Sequence, residues 1–254
     1  MKRSIALILA VLILLVAGSA LAETWTCPKC GRLNDGMFCP DCGTAKPGST
    51  NIKPGDYVYL GHWEQNNYAG DGAEKIRWLV IDTDGSKLFL LSDKALANLP
   101  FHKASDKTSW AAYFLRQWLN YDFYNGAFNN DEKAAIQTTT VEDTSEHTYY
   151  EWNTASRFSG ETEDKVFCLS YLEMYTLLNT STICCEPCAA INSSRILIEK
   201  DGYGHAYCYW WLRTSAYKNN AGVVSSKGFL TAYEHHPEIC VRPALWVDAS
   251  AVTQ

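Results

Sequence analysis

The stretch that most constrains the fold is Tyr209-Trp210-Trp211-Leu212-Arg213-Thr214-Ser215. Three adjacent aromatic rings and a single charge mark it as a core strand, because aromatic side chains suit a pleated, packed surface. It has an echo near the C-terminus, Val241-Arg242-Pro243-Ala244-Leu245-Trp246, which reads as a second core strand. Successive strand residues point to opposite faces. Of Trp210 and Trp211, at most one is therefore expected in the core, with the other facing solvent, a loop or a ligand.

Composition bounds the rest. The 254 residues are 47% hydrophobic and 20% charged, enough to build one or two domains around a substantial core. Nine Trp and fifteen Tyr supply either a large aromatic core or a stacking surface for sugars or peptides, and core burial is the commoner use. The net charge of −6 argues against nucleic acid, since phosphate backbones require clustered Lys and Arg.

Lys2 and Arg3, the unbroken apolar run Ile5–Ala17 and the small residues of Ala20-Leu21-Ala22 form the three regions of a secretory signal peptide over residues 1–22. Cleavage after Ala22 would start the mature chain at Glu23. An uncleaved segment, just long enough to approach a bilayer span, would instead tie the protein to a membrane. Either way the remainder is expected outside the cytoplasm, secreted or at the cell surface.

Two knuckles follow, Cys27-Pro28-Lys29-Cys30-Gly31 and Cys39-Pro40-Asp41-Cys42-Gly43. Each brings two thiols together, and the glycine after the second Cys allows a left-handed turn. Cys27, Cys30, Cys39 and Cys42 would complete a closed tetrahedral site for structural zinc, with no open position for catalysis. Two disulfides are the competing reading for an exported chain. The pattern resembles short bacterial zinc ribbons over residues 23–46. The polar, Pro- and Gly-containing segment 47–55 reads as a linker.

Over 56–250 the pattern predicts one domain. Asp56–Leu60 is a strand, and Ile76–Ile81 with Lys87–Leu91 forms a hairpin around Gly85. A helix capped by Ser109 buries Phe114, Leu115, Trp118 and Leu119, followed by helical pieces to Ile136 broken at Asn125-Gly126. Asp164–Ser170 is expected as a buried strand, Tyr171 to about Leu178 as a helix and Thr180–Ser194 as an irregular insertion. Gly222–Val224 and Gly228–Leu230 make a second hairpin, before the closing strand Val241–Val247. Short strands with a few helices imply an α+β domain with a mainly antiparallel sheet.

Ile76-x-Trp78-x-Val80, Leu115-Arg116-x-Trp118-Leu119-Asn120, Asp164-Lys165-Val166-Phe167, Trp211-Leu212-Arg213 and Val241-Arg242-Pro243-Ala244 together resemble an uncharacterised domain family of bacterial secreted and surface proteins. The closing strands are also similar to formylglycine-generating-enzyme-like and C-type-lectin-like folds. That resemblance implies a C-type-lectin-like architecture. Because formylglycine-generating enzymes hold copper with a cysteine pair, it also raises a copper oxidase using Cys208 and Cys240. From the residues alone, those two cysteines could equally be bridged by a disulfide if their strands pair.

Candidate chemistry is sparse. Arg116, Arg213 and Arg242 lie inside apolar segments and need carboxylate or carbonyl partners. They either staple loops to the core or, with Trp210, Trp211 and Arg213 as the ligand-binding set, line a pocket for an anionic or sugar ligand. Cys168 reads as a buried thiol. Cys184, Cys185 and Cys188 suggest disulfides or free thiols rather than a second metal site. His235-His236-Pro237-Glu238 could offer ligands, but adjacent histidines point apart. No phosphate loop, nucleophile elbow or His-Glu-x-x-His is present, and no catalytic residue is assigned. The expectation is a secreted or cell-surface binding module for a glycan, peptide or protein. A purely structural envelope protein is the third alternative.

Overall fold

In the computed structural model, the described residues are 24–34, 39–42, 44, 51–68, 70–102, 110–142, 160–191, 193–215, 220–234 and 239–254. The signal segment 1–22, Ser109, residues 47–50 of the linker and the histidine pair at 235–236 lie outside them. The chain divides into two compact units, Met1–Pro47 and Gly48–Gln254. No described helix is long and apolar enough to cross a membrane.

The first unit holds one short antiparallel ribbon, β1 (Trp25–Thr26) with β2 (Leu33–Asn34). Its described buried apolar residues are Trp25, Cys27 and Cys39, with Cys42 packed beside them. Gly31 adopts φ 77°, the left-handed turn expected of the knuckle.

The second unit is built on two sheets. β3 (Tyr57–Trp63), β4 (Glu74–Thr83), β5 (Lys87–Ser92) and β15 (Ala244–Asp248) form an antiparallel four-stranded sheet in the order β15-β5-β4-β3. The expected hairpin is the β4–β5 pair, closed by Gly85 at φ 91°. The other sheet runs β13 (Leu230–Glu234), β12 (Asn220–Val224), β11 (Trp210–Ser215), β14 (Cys240–Val241) and β6 (Ala97–Asn98). Here β11 and β14 pair in parallel at Trp210 and Cys240, and the other pairings are antiparallel. Two ribbons flank these sheets: β7 (Thr139–Glu142) with β8 (Glu161–Asp164), and β9 (Ile198–Lys200) with β10 (Ala206–Cys208). The unit is thus α+β and mainly antiparallel.

The closing strand departs from expectation. Val241–Val247 is two strands in two sheets, with the chain crossing at Arg242-Pro243. Proline has no N–H and cannot extend a ladder on that side. Its carbonyl accepts instead from Ser92 N at 2.9 Å, at the end of β5. Asp164–Ser170 is not a continuous strand either. β8 ends at Asp164, and Phe167 makes a single bridge to Ala244 while Val166–Leu169 stay buried.

The helices are short: α1 (Phe114–Trp118), a π-helical turn Leu119–Phe123, α2 (Tyr124–Ala127), α3 (Asn130–Ala135) and α4 (Tyr171–Leu177). Asn125-Gly126 lies inside α2, and the break falls at Phe128-Asn129 instead. There Asn129 caps α3 through a capping box with Glu132, a stronger stop-and-restart signal than the Asn-Gly pair. A second capping box, Ser170 with Glu173, starts α4.

Gly61 is held by the α2–α3 connection. It has φ 71°, and a Cβ there would lie 2.6 Å from the Phe128 ring and 2.8 Å from the Ala127 carbonyl oxygen. Gly61→Ala therefore combines left-handed strain with overpacking. It should lower unfolding free energy by about 2–4 kcal/mol, read as a drop in the urea midpoint with an unchanged slope.

Candidate functional site

In the first unit the four knuckle cysteines converge. All four sulfurs lie within 4.8 Å of one another. Cys27 and Cys42 are 3.5 Å apart, Cys30 and Cys39 3.4 Å, and Cys30 and Cys42 3.8 Å. A disulfide requires about 2.05 Å. Four thiolates about 2.3 Å from a central ion would have edges of roughly 3.8 Å, close to the observed spacings. The donor set therefore fits a tetrahedral metal ion and does not fit two disulfides.

The electrostatics agree. Burial opposes ionisation of Cys27, but backbone N–H groups of Cys30 and Lys29 and the neighbouring thiols bring it down to about 6. At Cys30 the Arg32 N–H favours thiolate. Cys39, burial and the other two thiols outweigh it and push Cys30 up to about 12. Cys42 is also shifted down, chiefly by the Thr44 hydroxyl and backbone N–H. The cluster thus favours some thiolates and opposes others, and a bound cation would supply the missing positive charge.

The three arginines singled out in the sequence, Arg116, Arg213 and Arg242, all turn inward. Arg213 is 4% exposed. It pairs with both Glu173 carboxylate oxygens, at 2.5 and 2.9 Å, and donates to the carbonyls of Glu142 and Cys168. The capping residue of α4 is thus also its counter-ion. Arg242, 2% exposed, donates to Ser92 O and Thr182 O and lies 5.2 Å over the Trp210 ring. Arg116 pairs with the fully buried Asp164 at 2.6 Å. Asp164 also accepts from Trp110 Nε1, Thr162 Oγ1 and Asn120 Nδ2. The three arginines staple loops to the core.

Trp210 and Trp211 are both fully buried, which corrects the expectation that at most one would lie in the core, although Trp210 does face a loop, as one of the expected options had it. β11 is an inner strand of a sheet covered on both faces. Trp210 Nε1 donates to Ile183 O in the irregular insertion, and Trp211 Nε1 donates to Leu99 O while its ring packs 5.1 Å from Phe101. The ligand-binding set of Trp210, Trp211 and Arg213 is thus placed inside the core and offers no surface to a ligand.

Cys208 and Cys240 are likewise fully buried, and both are unbridged thiols. Cys240 is in register with Trp210, and Cys208 N donates to Cys185 O at 2.8 Å, a pairing the sequence did not suggest. Cys168 is a buried thiol, as expected, and burial raises it far above the ordinary range.

Open space lies elsewhere. A groove of about 590 Å³ is lined by Tyr171, Met174, Tyr175 and Leu178 of α4 and its C-terminal end, by Ile183, and by Phe229 and Leu230 of the β12–β13 hairpin. Asn179, Thr180 and Lys227 supply its polar rim. Tyr175 and Phe229 are 70% and 69% exposed, unusual for rings beside a core this large. The sequence placed Tyr171–Leu178 on a helix and Phe229 and Leu230 on a hairpin arm; Phe229 falls instead in the turn before β13. Their convergence was hidden, although the Tyr171–Tyr175 spacing of four marks a continuous aromatic face.

Two smaller polar hollows, about 410 and 330 Å³, share Arg77, Asp93 and Lys94. Their charges are mutually engaged: Arg77 with Asp93 at 3.1 Å, and Glu186 with Lys94 at 3.9 Å and His205 at 3.1 Å.

The fold and site define an α+β, mainly antiparallel protein with a separate four-cysteine cluster able to hold a metal ion. Residues 85–249 match the family described as a domain of unknown function (DUF6273), and the chain belongs to that family. The match takes in the Leu-Arg-x-Trp-Leu-Asn, Asp-Lys-Val-Phe, Trp-Leu-Arg and Val-Arg-Pro-Ala segments and begins after Ile76-x-Trp78-x-Val80. No curated protein and no solved structure matches the chain.

Proposed function

We propose that the protein is an exported binding module, secreted or held at the cell surface. Zinc in the four-cysteine cluster would be structural, and the α+β domain, of C-type-lectin-like type, would take a partner polypeptide in the aromatic groove. The observation that carries this reading is the open groove between α4 and the β12–β13 turn, with Tyr175 and Phe229 exposed at its mouth.

A peptide fits this lining better than a glycan. Sugar sites need several planar polar partners for hydroxyl groups, whereas Met174, Leu178, Ile183 and Leu230 offer apolar contact with few donors. Leu230 opens β13, the terminal strand of its sheet among the described residues, so an extended segment could lie alongside it. The signal-peptide pattern of residues 1–22 supports export. The copper-oxidase alternative gains no support from geometry, because Cys208 and Cys240 are sealed from any substrate.

Selection from a random-peptide display library against the full chain should return segments with two or more large apolar residues. Phe229→Ala and Tyr175→Ala should each weaken those peptides at least about tenfold, as interface aromatics do, while Tyr203→Ala, still more exposed but outside the groove, should not. Binding that ignores both groove substitutions would sink the assignment. Saturable binding to cell-wall polysaccharide instead would convert it to a glycan site. Recovery of the chain only from the cytoplasm would remove the export claim.

A further inference from the structure

Six cysteines belong to the second unit, and three of them meet in one buried cluster. Cys185, Cys208 and Cys240 are 1%, 0% and 0% exposed; Cys208 N donates to Cys185 O, and Cys240 N donates to the carbonyl of Tyr209, the residue after Cys208. We infer that Cys208 and Cys185 are the partners of a structural disulfide formed as the domain folds, with Cys240 left as a buried thiol beside it.

The backbone distinguishes the two candidate partners. Cys208 N donates to Cys185 O at 2.8 Å. Backbones joined by such a bond run at about the 4.7–4.9 Å spacing of neighbouring strands, inside the disulfide window of about 4.4–6.8 Å. Cys240 is in register with Trp210, two residues beyond Cys208. With a rise of about 3.3 Å per residue and about 4.8 Å between strands, a two-residue offset corresponds to about 8 Å, past the upper end of the window. The strand pairing that first suggested Cys208 and Cys240 is real, but its register is off by one step. The bridge would tie the irregular insertion to the edge of the Trp210 strand, where Arg242 already holds Thr182 O and Trp210 holds Ile183 O.

The chemistry requires an external disulfide, either low-molecular-weight or a disulfide-carrying oxidoreductase. One cysteine thiolate attacks it, forming a mixed disulfide and releasing one carrier thiolate. The second cysteine thiolate then attacks the mixed disulfide, closing the intramolecular bond and releasing the second carrier thiolate. The two cysteines lose two protons and two electrons, and the carrier becomes a dithiol. Burial raises both Cys185 and Cys208 well above the ordinary thiol range. Few thiolates therefore exist in the native state, which places the exchange before burial is complete and protects the bond afterwards.

The inference uses the export reading only for the origin of its oxidant, so the test supplies that oxidant directly. The reduced full chain is refolded with oxidised and reduced glutathione, alkylated after denaturation, digested and mapped by mass spectrometry without reduction. The expected result is the peptide Asp201–Arg213, carrying Cys208, linked to the segment carrying Cys184 and Cys185, with Cys240 alkylated. The link should survive Cys168→Ser, Cys184→Ser and Cys188→Ser and be lost in Cys185→Ser, which assigns it to Cys185. The oxidised chain should melt on the order of 10 °C above the same chain in excess reductant. Recovery of Cys208 alkylated or linked to Cys240, loss of the link in Cys184→Ser, or a melting point indifferent to reductant would each overturn the assignment.

Discussion

Cys39→Ser should abolish metal binding by the first unit while leaving the second unit's melting transition in place. The wild-type full chain should carry one zinc per molecule by elemental analysis, and the variant none. The size of the effect follows from what else could hold residues 24–44 together. Their described apolar core is one tryptophan and two cysteines, flanked by a third. The ribbon contributes two residues per strand. The Arg32–Asp41 ion pair is about half exposed and contributes at most roughly 1 kcal/mol. Structural zinc in small cysteine sites supplies about 10–16 kcal/mol at neutral pH, far more than all of these. Removing one ligand, or the metal with a chelator, should therefore unfold this unit rather than loosen it. Two transitions in calorimetry, of which only one responds to chelator, would show this directly. A wild-type chain carrying no metal, with knuckle cysteines joined in disulfides, would overturn the metal assignment.

That cluster was the most legible part of the chain, because metal geometry imposes spacing and spacing is written in sequence. The β4–β5 hairpin and the β12–β13 hairpin were legible for a similar reason. Each joins a short apolar run to a nearby glycine, and their partners are adjacent in the chain. Pairing across long separations left no such mark. Nothing local announces that Val241 and Ala244 belong to different sheets, since the crossing depends on Ser92 reaching the Pro243 carbonyl from far away in sequence. The same limit explains Trp210 and Trp211. Alternation correctly sends them to opposite faces, but whether a face is covered depends on segments such as Phe101 and Ile183 that alternation cannot see.

The candidate site followed the same division. Arginines embedded in apolar runs could be recognised as needing partners, yet the partners Glu173 and Asp164 look ordinary in sequence. Glu173 reads simply as a helix-capping acid until Arg213 is placed beside it. The groove residues were hidden more thoroughly, because an exposed Phe229 and a buried Phe167 have the same composition signal. What sets Phe229 apart is its position after Gly228 at a hairpin turn, with φ 78° at the glycine.

Asp164→Ala should be the most damaging single change to the second unit. The carboxylate is 1% exposed and is shared by donors from four segments: Trp110, Arg116, Asn120 and Thr162. Asn120 in turn accepts from Lys165 N and Val166 N and donates to Val166 O. One acid thereby joins the α1 region to the β7–β8 ribbon and the buried Val166–Leu169 segment, which has only one sheet bridge of its own. Removing one partner of such a network leaves buried donors and an uncompensated guanidinium, at a cost of about 3–5 kcal/mol. Asp164→Asn keeps the shape but turns one acceptor into a donor facing other donors, so it should fall between Ala and wild type. By contrast Lys94→Ala, which removes a half-exposed partner of Glu186, should stay within about 0.5 kcal/mol. A double-mutant cycle with Arg116→Met separates the mechanisms. If Asp164 acts by neutralising Arg116, the second substitution should recover part of the loss. If the two losses simply add, the damage comes from the stranded Trp110 and Thr162 donors instead, and the ion pair is incidental.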